Sequence, residues 1–363
     1  MKKLRIGVMT LWNSSDNYGQ IIQGYALQRY LEQQHCDAFI IRFSSLLSRV
    51  KELLLLIAAG RLPVYLSSRE KRRFKEFKSR IKYSGKFYHS YSRLKNRPPE
   101  ADLLIAGSDQ VWNYMRNTSR RNAYLLRFSD NVKKISYAAS FGRDRLNGNE
   151  IEDFTNALSK FSAVTVREKS GADICSRLNI KSRLVADPVA LIDAGEWREI
   201  ESAAVFPANG KKNIFIYVLS ENCNELTELM TALKEKYNVV YTNPNGNGLK
   251  SDRTPSIPEW IGLIDKSDVV ITDSYHSTLL SIILKTQFVT ISRKNGKRMN
   301  NRFLTLFDIT GLGNRYVEME ETGKILALTD SFQEIAYSDD FIKLINDSKA
   351  FLAEILTQTS TEI

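Results

Sequence analysis

Cysteine is scarce in this chain of 363 residues: Cys36, Cys175 and Cys223 lie far apart, with no Cys-x-x-Cys pair. That argues against a disulfide framework or a zinc ribbon and fits a reducing, cytoplasmic setting. Long hydrophobic runs are also lacking. No apolar stretch reaches the roughly 18–20 residues of a membrane-spanning helix, and the longest, Leu53–Gly60, is cut off by Arg61 and Pro63. The opening Met1–Thr10 carries only a short apolar run with no small-residue cleavage site behind it, so it reads as a first strand rather than a signal peptide. Histidine occurs three times, as His35, His89 and His276. There is no His-Glu-x-x-His, no Gly-x-Gly-x-x-Gly, no P-loop, no Gly-x-Ser-x-Gly elbow and no carboxylate cluster at metal-ligand spacing, so neither a metal nor a resident cofactor is expected.

Hydrophobic residues at 43 % and charged residues at 26 % are ordinary globular usage, which excludes a disordered, collagen-like or coiled-coil chain. The length favours two domains. The net charge of +11 is concentrated: residues 46–98 hold 15 Lys and Arg against 3 Asp and Glu, and the remainder, with 37 basic and 38 acidic residues, is nearly neutral. Within that segment Phe74, Phe77 and Ile81 fall on one helical face among cations. A basic helical insertion is therefore expected. It serves either as a docking surface for an anionic membrane or a lipid-linked acceptor at the inner face of the cell membrane, or as a solvated hairpin packed on its own domain. Nucleic acid is not expected as a partner, because no helix-turn-helix, zinc-finger or RNP-like pattern is present.

Apolar runs alternate with helical patterns along the whole chain, which is the mark of an α/β fold. The pattern restarts after Pro207–Lys212, the most loop-like junction in the middle of the sequence. Two Rossmann-like lobes are expected, 1–206 with the basic insertion at about 46–98, and 207–363 ending in a closing helix near Asp339–Gln358. In open α/β sheets ligands lie at the carboxyl ends of the strands, so chemistry is sought in the loops that follow them.

Four such loops are rich in polar groups. Asn13–Gln20, after the first strand, offers Asn17, Tyr18 and Gln20 to a substrate, or else only helix caps. Gly107–Asn113 brings together Ser108, Asp109, Gln110, Trp112 and Asn113, a set suited to sugar hydroxyls and an apolar sugar face, or alternatively a capping turn with a structural tryptophan. Arg167 at a strand end is suited to bidentate capture of carboxylate or phosphate, or to an ion pair with Glu168 or Asp187. Thr272–Thr278 is the sharpest: His276, framed by Asp273, Ser274, Ser277 and Thr278, stands where a strand opens into an apolar helix. There an imidazole can exchange protons with an anion held at the helix N-terminus.

At these residues the chain resembles the polysaccharide pyruvyl transferase family. The matching pieces run in order from about Ile6 to Arg302. They are Asn17-Tyr18-Gly19-Gln20 with Tyr25-Ala26-Leu27-Gln28, Gly107–Asn113, Ser136–Gly142, Val166-Arg167-Glu168 with Asp187-Pro188, Asp273-Ser274-Tyr275-His276, and Arg302. The resemblance implies a glycosyltransferase-B-like fold with an N-terminal acceptor lobe and a C-terminal donor lobe. It implies transfer of pyruvate from phosphoenolpyruvate onto two hydroxyls of a sugar as a cyclic ketal, with release of phosphate. Acceptors in the family belong to capsules, exopolysaccharides and cell-wall polymers, often on a lipid carrier.

On that basis His276 is the expected acid/base, with Arg167 and Asp109 beside it as catalytic residues. Arg167, Arg293, Arg302, Ser274, Ser277 and Thr278 would bind the donor. Asn17, Tyr18, Gln20, Ser108, Gln110, Trp112 and Asn113 would bind the acceptor. The chain departs from the family at Ser274, where some members carry arginine, and at Ser277, where many carry glycine. The first departure leaves the donor's charge to Arg167, Arg293 or Arg302. Two other readings remain: a glycosyltransferase of the same fold using a nucleotide-sugar donor, and a non-catalytic polysaccharide-assembly protein.

Overall fold

The computed structural model describes residues 3–14, 17–44, 74–113, 117–202, 206–207, 209–221, 223–244, 249, 251–293, 301–331 and 334–362. By its contacts the chain divides into two units. Met1–Ser15, Gln20–Leu191 and Lys343–Ile363 form the first; Asp16–Gly19 and Ile192–Ile342 form the second.

The first unit runs β1 (Arg5–Met9), α1 (Tyr18–Gln33, whose first two residues group with the second unit), β2 (Asp37–Phe43), β3 (Tyr83–Tyr88), α2 (Tyr91–Asn96) and β4 (Leu103–Ala106). It continues with α3 (Thr118–Tyr124), β5 (Lys133–Ser136), α4 (Gly148–Leu158), β6 (Val164–Val166), α5 (Lys169–Arg177) and β7 (Ser182–Leu184). The sheet order is β3-β2-β1-β4-β5, parallel throughout. All four residues of β4 are buried, as a parallel strand covered on both faces requires. The chain lays β2 and β3 on one flank of β1 and β4 and β5 on the other. The topological switch point therefore lies between β1 and β4, and the loops after these two strands meet there: Thr10 Oγ1 donates to Ser108 O at 3.0 Å.

The second unit holds α6 (Ala194–Ile200), β8 (Asn213–Tyr217), α7 (Asn224–Lys236), β9 (Asn238–Thr242), α8 (Ile257–Asp265), β10 (Val269–Thr272), α9 (Tyr275–Leu284), β11 (Gln287–Ile291), α10 (Asn301–Thr310), β12 (Tyr316–Val317) and α11 (Thr322–Ser331). Its parallel sheet has the order β12-β11-β10-β8-β9, so its switch point lies between β8 and β10. The last helix, α12 (Asp339–Thr361), returns to the first unit from Lys343 onward. There Ser348 Oγ accepts from Ala186 N at 2.9 Å, Tyr30 Oη donates to Lys349 O at 3.4 Å, and Arg183 lies over the Phe351 ring.

Three expectations are corrected. The loop at 207–212 lies inside the second unit, and the division falls after Leu191. The reason is α6: its Trp197 is fully buried, and Ser202 N, just past the helix, donates to Pro258 O of α8. The closing helix, counted with the second lobe, packs for most of its length on the first. Finally, 46–98 is not a helical insertion throughout. Residues 83–88 are β3, the edge strand of the first sheet, and residues 45–73, including Leu53–Ile57 and Arg69–Arg73, lie outside the described residues. In the described part Phe74, Phe77 and Ile81 are buried, with Phe77 against Tyr25 at 5.1 Å between centroids. That apolar face is covered by its own unit, while Lys75 and Arg80 face solvent. Among the described residues no helix is long and apolar enough to cross a membrane.

Candidate functional site

Two polar clusters form, one at each switch point. In the second unit β10 is wholly buried and ends at Thr272, whose hydroxyl donates to Tyr217 O at 2.6 Å and accepts from Ser274 N at 3.1 Å. This ties the ends of β8 and β10 together and turns the chain sharply into α9. Ser274 is the N-cap, accepting from Ser277 N at 3.5 Å. Every residue of α9 is buried, and Thr278 Oγ1 is bonded to Thr290 Oγ1 of β11 at 2.8 Å. The Asp273 carboxylate accepts from Leu219 N at 2.7 Å, from Ser220 N at 2.9 Å and from the Ser220 hydroxyl, all in the loop after β8. Arg293, after β11, closes on the same residue: its Nε lies 3.2 Å from Asp273 Oδ2, and Nε and Nη2 donate to Asp273 O.

His276 is the second residue of α9 and is 6 % exposed. Tyr275 meets it edge-on at 5.3 Å, and the Arg302 guanidinium covers the Tyr275 ring at 5.5 Å. One aromatic ring thus separates the imidazole from a cation. Ser277 Oγ is buried and finds no hydrogen-bond partner among the described residues, although it sits in the first turn, where backbone N–H groups face outward. Gly19, part of the Asn17–Gln20 motif but given no role from the sequence, lies directly against His276. A Cβ built on it would lie 2.1 Å from His276 Nδ1 and 2.6 Å from Cγ. Only a residue without a side chain fits there. Tyr18 beside it is fully buried, stacks near Trp260 at 5.2 Å and donates to Pro255 O at 2.6 Å. The sequence signal for Gly19 is faint, a glycine in the second position of an otherwise good helix.

In the first unit Arg167 has no exposed side-chain surface. It faces three carboxylates: Asp187 at 2.8 Å, Asp109 at 3.3 Å and Glu168 at 3.4 Å. Ser108 Oγ donates to Asp187 at 3.1 Å, and Glu168 accepts from the Ser140 hydroxyl. Of the two readings of Arg167, the geometry is that of the ion pair. Asp109 has φ +72°, a left-handed conformation that costs a non-glycine residue about 1–2 kcal/mol. It is held there by Ser140 N, which donates to Asp109 O at 3.0 Å.

Gln110 and Asn113 are half-buried and bonded to each other at 2.9 Å, with Gly142 at φ +60° packed close against both. Trp112, expected to cover a sugar, is instead core. It is fully buried among Phe141, Phe154 and Phe161, and its indole N–H points at Tyr124 O at 3.4 Å. Asn17 is exposed and Gln20 is half-buried.

The electrostatics of the two clusters differ. One guanidinium against three carboxylates makes the Arg167 cluster acidic: it repels an anion and offers acceptors to hydroxyls. Among the described residues the cluster at α9 has Arg293, Arg302 and a helix N-terminus with the Asp273 carboxylate, and Glu318 accepts from the Ser292 hydroxyl beside Arg293; this balance is more favourable to an anion than that around Arg167.

The model of the family described as polysaccharide pyruvyl transferase matches residues 17–295, which include every residue of both clusters except Arg302 and Glu318. The chain belongs to the polysaccharide pyruvyl transferase family. A search of curated proteins returned no match. Among solved structures, the chain is similar to the UDP-GlcNAc 2-epimerase of Methanocaldococcus jannaschii in complex with UDP-GlcNAc and UDP (TM-score 0.53, 12 % identity, 98 % of this chain and 100 % of that one). It is similar to Arabidopsis thaliana UGT89C1 complexed with UDP-L-rhamnose (0.53, 11 %, 99 % and 100 %). It is similar also to the Neisseria meningitidis UDP-GlcNAc 2-epimerase bound to UDP-GlcNAc (0.51, 11 %, 97 % and 99 %). At such identity the likeness shows the fold alone, a glycosyltransferase-B-like pair of parallel-sheet units. As a member of this family the protein is a transferase of polysaccharide biosynthesis.

Proposed function

We propose that this pyruvyl transferase uses phosphoenolpyruvate to build a cyclic ketal on a sugar of a surface polysaccharide or its lipid-linked precursor. The observation that carries this reading is the imidazole of His276 in the first turn of α9, at the switch point of its sheet, with Arg293 and Arg302 in the same unit. The reaction needs a proton delivered to the methylene carbon of the donor. A sugar hydroxyl then attacks the central carbon, the bond to the phosphate oxygen breaks, and a second hydroxyl closes the ring. Of the two hydroxyl protons, one balances the new methyl group and the other leaves with phosphate.

His276 is the group assigned to proton delivery and uptake, a role worth about 10²–10⁴-fold. Arg302 and Arg293, with the Ser277 hydroxyl and the positive end of α9, are assigned to the donor's carboxylate and phosphate. Fixed cations and dipoles of this kind stabilise developing charge without reorganising. The acidic cluster of the first unit is assigned to the acceptor: Asp109, Gln110 and Asn113 take sugar hydroxyls, Ser108 and Arg167 hold Asp109 and Asp187 in place, and Gln20 of the same unit supplies a further contact. Arg167 is thereby a positioning residue.

Incubation with phosphoenolpyruvate and a panel of aryl and lipid-linked glycosides tests the reading. Acceptor-dependent phosphate release is the expected result. Nucleotide release from a UDP-sugar, with none of phosphate, overturns it.

A further inference from the structure

Of the four tryptophans, Trp112, Trp197 and Trp260 have no exposed surface, whereas Trp12 is half-buried. Trp12 stands in the loop after β1, at the carboxyl edge of the first sheet, with six residues between it and Gly19. Its indole N–H donates to Phe43 O at the end of β2, 3.2 Å away. Its ring packs obliquely on Tyr83 at 5.6 Å and edge-on to Phe87 at 5.8 Å, and Phe87 packs on His89 at 4.2 Å. All four side chains are half-buried, and His89 Nδ1 has no hydrogen-bond partner among the described residues. Asn13 beside them is exposed.

This surface differs from the core cluster around Trp112. There the rings fill space among apolar neighbours. Here one ring is fixed by its N–H and braced by the edge strand β3, yet it is only partly buried. A fixed aromatic face binds without paying to order itself, and it matches a ligand that is apolar on one face and polar at its rim. A pyranose has that form, with a C–H face suited to an indole and hydroxyls suited to polar groups such as those of His89 and Asn13. The location fits as well, since ligands of open α/β sheets lie at the carboxyl ends of the strands.

We propose that Trp12, with Tyr83, Phe87 and His89, is a platform that seats one sugar ring of the acceptor. The proposal rests on the functional reading above for the identity of the ligand as acceptor.

The test is titration of the full-length protein with methyl glycosides of galactose, glucose, mannose and N-acetylglucosamine, and in a separate arm with uridine, read by tryptophan emission and by calorimetry. The expected result is saturable binding of at least one glycoside with a change in emission. That change disappears in Trp12→Phe, which keeps an aromatic face, while calorimetric affinity stays within about threefold; Trp12→Ala weakens it about tenfold. Phe87→Ser removes part of the brace and weakens it in the same direction, and melting curves confirm that each variant is folded. Failure of every glycoside to bind, equal affinity in Trp12→Ala, or binding of uridine in place of the sugars overturns the proposal. Calorimetry with phosphoenolpyruvate on the parent protein separates the two claims. Its failure to bind removes the functional reading and leaves the sugar titration to decide the platform.

Discussion

Gly19 and His276 are in such close contact that the position of the imidazole is set by the absence of a side chain on α1. Nδ1, Cγ and Cβ of the histidine all lie within 2.9 Å of where a Cβ would stand. Gly19 has no positive φ, so the requirement is one of space and not of backbone conformation. Gly19→Ala therefore displaces the ring. Misplacement of a reacting group by about 1 Å can cost about 10²-fold in rate, and a loss of that order in kcat is expected, together with a fall in melting temperature from overpacking of about 1–3 kcal/mol. Gly24→Ala on the same helix is the control. Its new Cβ meets the flexible end of Ile40 at 3.1 Å and Thr10 Cγ2 at an ordinary 3.6 Å, and activity is retained.

Arg167 gives a second prediction, because a donor-binding arginine and a buried ion-pair hub respond differently to removal. Arg167→Met leaves Asp109, Glu168 and Asp187 buried without their cation. Breaking a buried pair in this way costs about 3–5 kcal/mol. A clear fall in the denaturation midpoint is expected, measured in urea. An unchanged midpoint with lost phosphoenolpyruvate binding would return Arg167 to the donor site.

Trp112→Ala is predicted to behave as a core truncation. Removing a fully buried indole from among three phenylalanines costs about 3–5 kcal/mol. Trp112→Phe recovers most of that stability and keeps acceptor KM near the parental value. A variant that is stable but has lost acceptor affinity would contradict the core assignment.

Glu150 supplies a pH dependence of stability. Burial opposes its ionisation, but the two-pronged pair with Arg143, at 2.7 and 2.9 Å, and the Asn147 N–H at 3.0 Å more than offset this, and its carboxyl titrates below the ordinary carboxylate range. A group depressed in the folded state contributes its full stability above its unfolded pKa, about 4.3, and loses it as pH falls through the folded value. Thermal melting from pH 7 down to pH 3 is therefore expected to show Glu150→Gln less stable than the parent at neutral pH, with the difference shrinking in acid.

Much of the fold was legible because parallel strands buried on both faces write themselves as apolar runs. Val269–Thr272 and Leu103–Ala106 are plain examples, and the polar residues after them mark the loops at the switch points. β3 is hidden in the sequence, since Tyr83–Tyr88 is an edge strand carrying Gly85 and Lys86 in a basic stretch, and a shift of register opposite Ile40–Arg42 breaks the inside-outside alternation that would mark it. Trp112 misled because an aromatic among Ser, Asp, Gln and Asn has the composition of a sugar site, and nothing local distinguishes a ring turned inward from one turned outward. Arg167 was open for a similar reason: its partners Asp109 and Asp187 lie far from it in sequence. Helix α12 could be seen as a helix but not as one that returns to the first unit, because the docking of Ser348 on Ala186 is a contact across 162 positions.

The most direct measurement is phosphate release from phosphoenolpyruvate in the presence of a glycoside acceptor, made on the parent protein and on His276→Ala, with melting curves for both. The parent is expected to release phosphate only when acceptor is present, and the variant to fall by about 10²–10⁴-fold while remaining folded. Parental rates in His276→Ala would remove the imidazole from the chemistry and with it the assignment of α9 as the donor site.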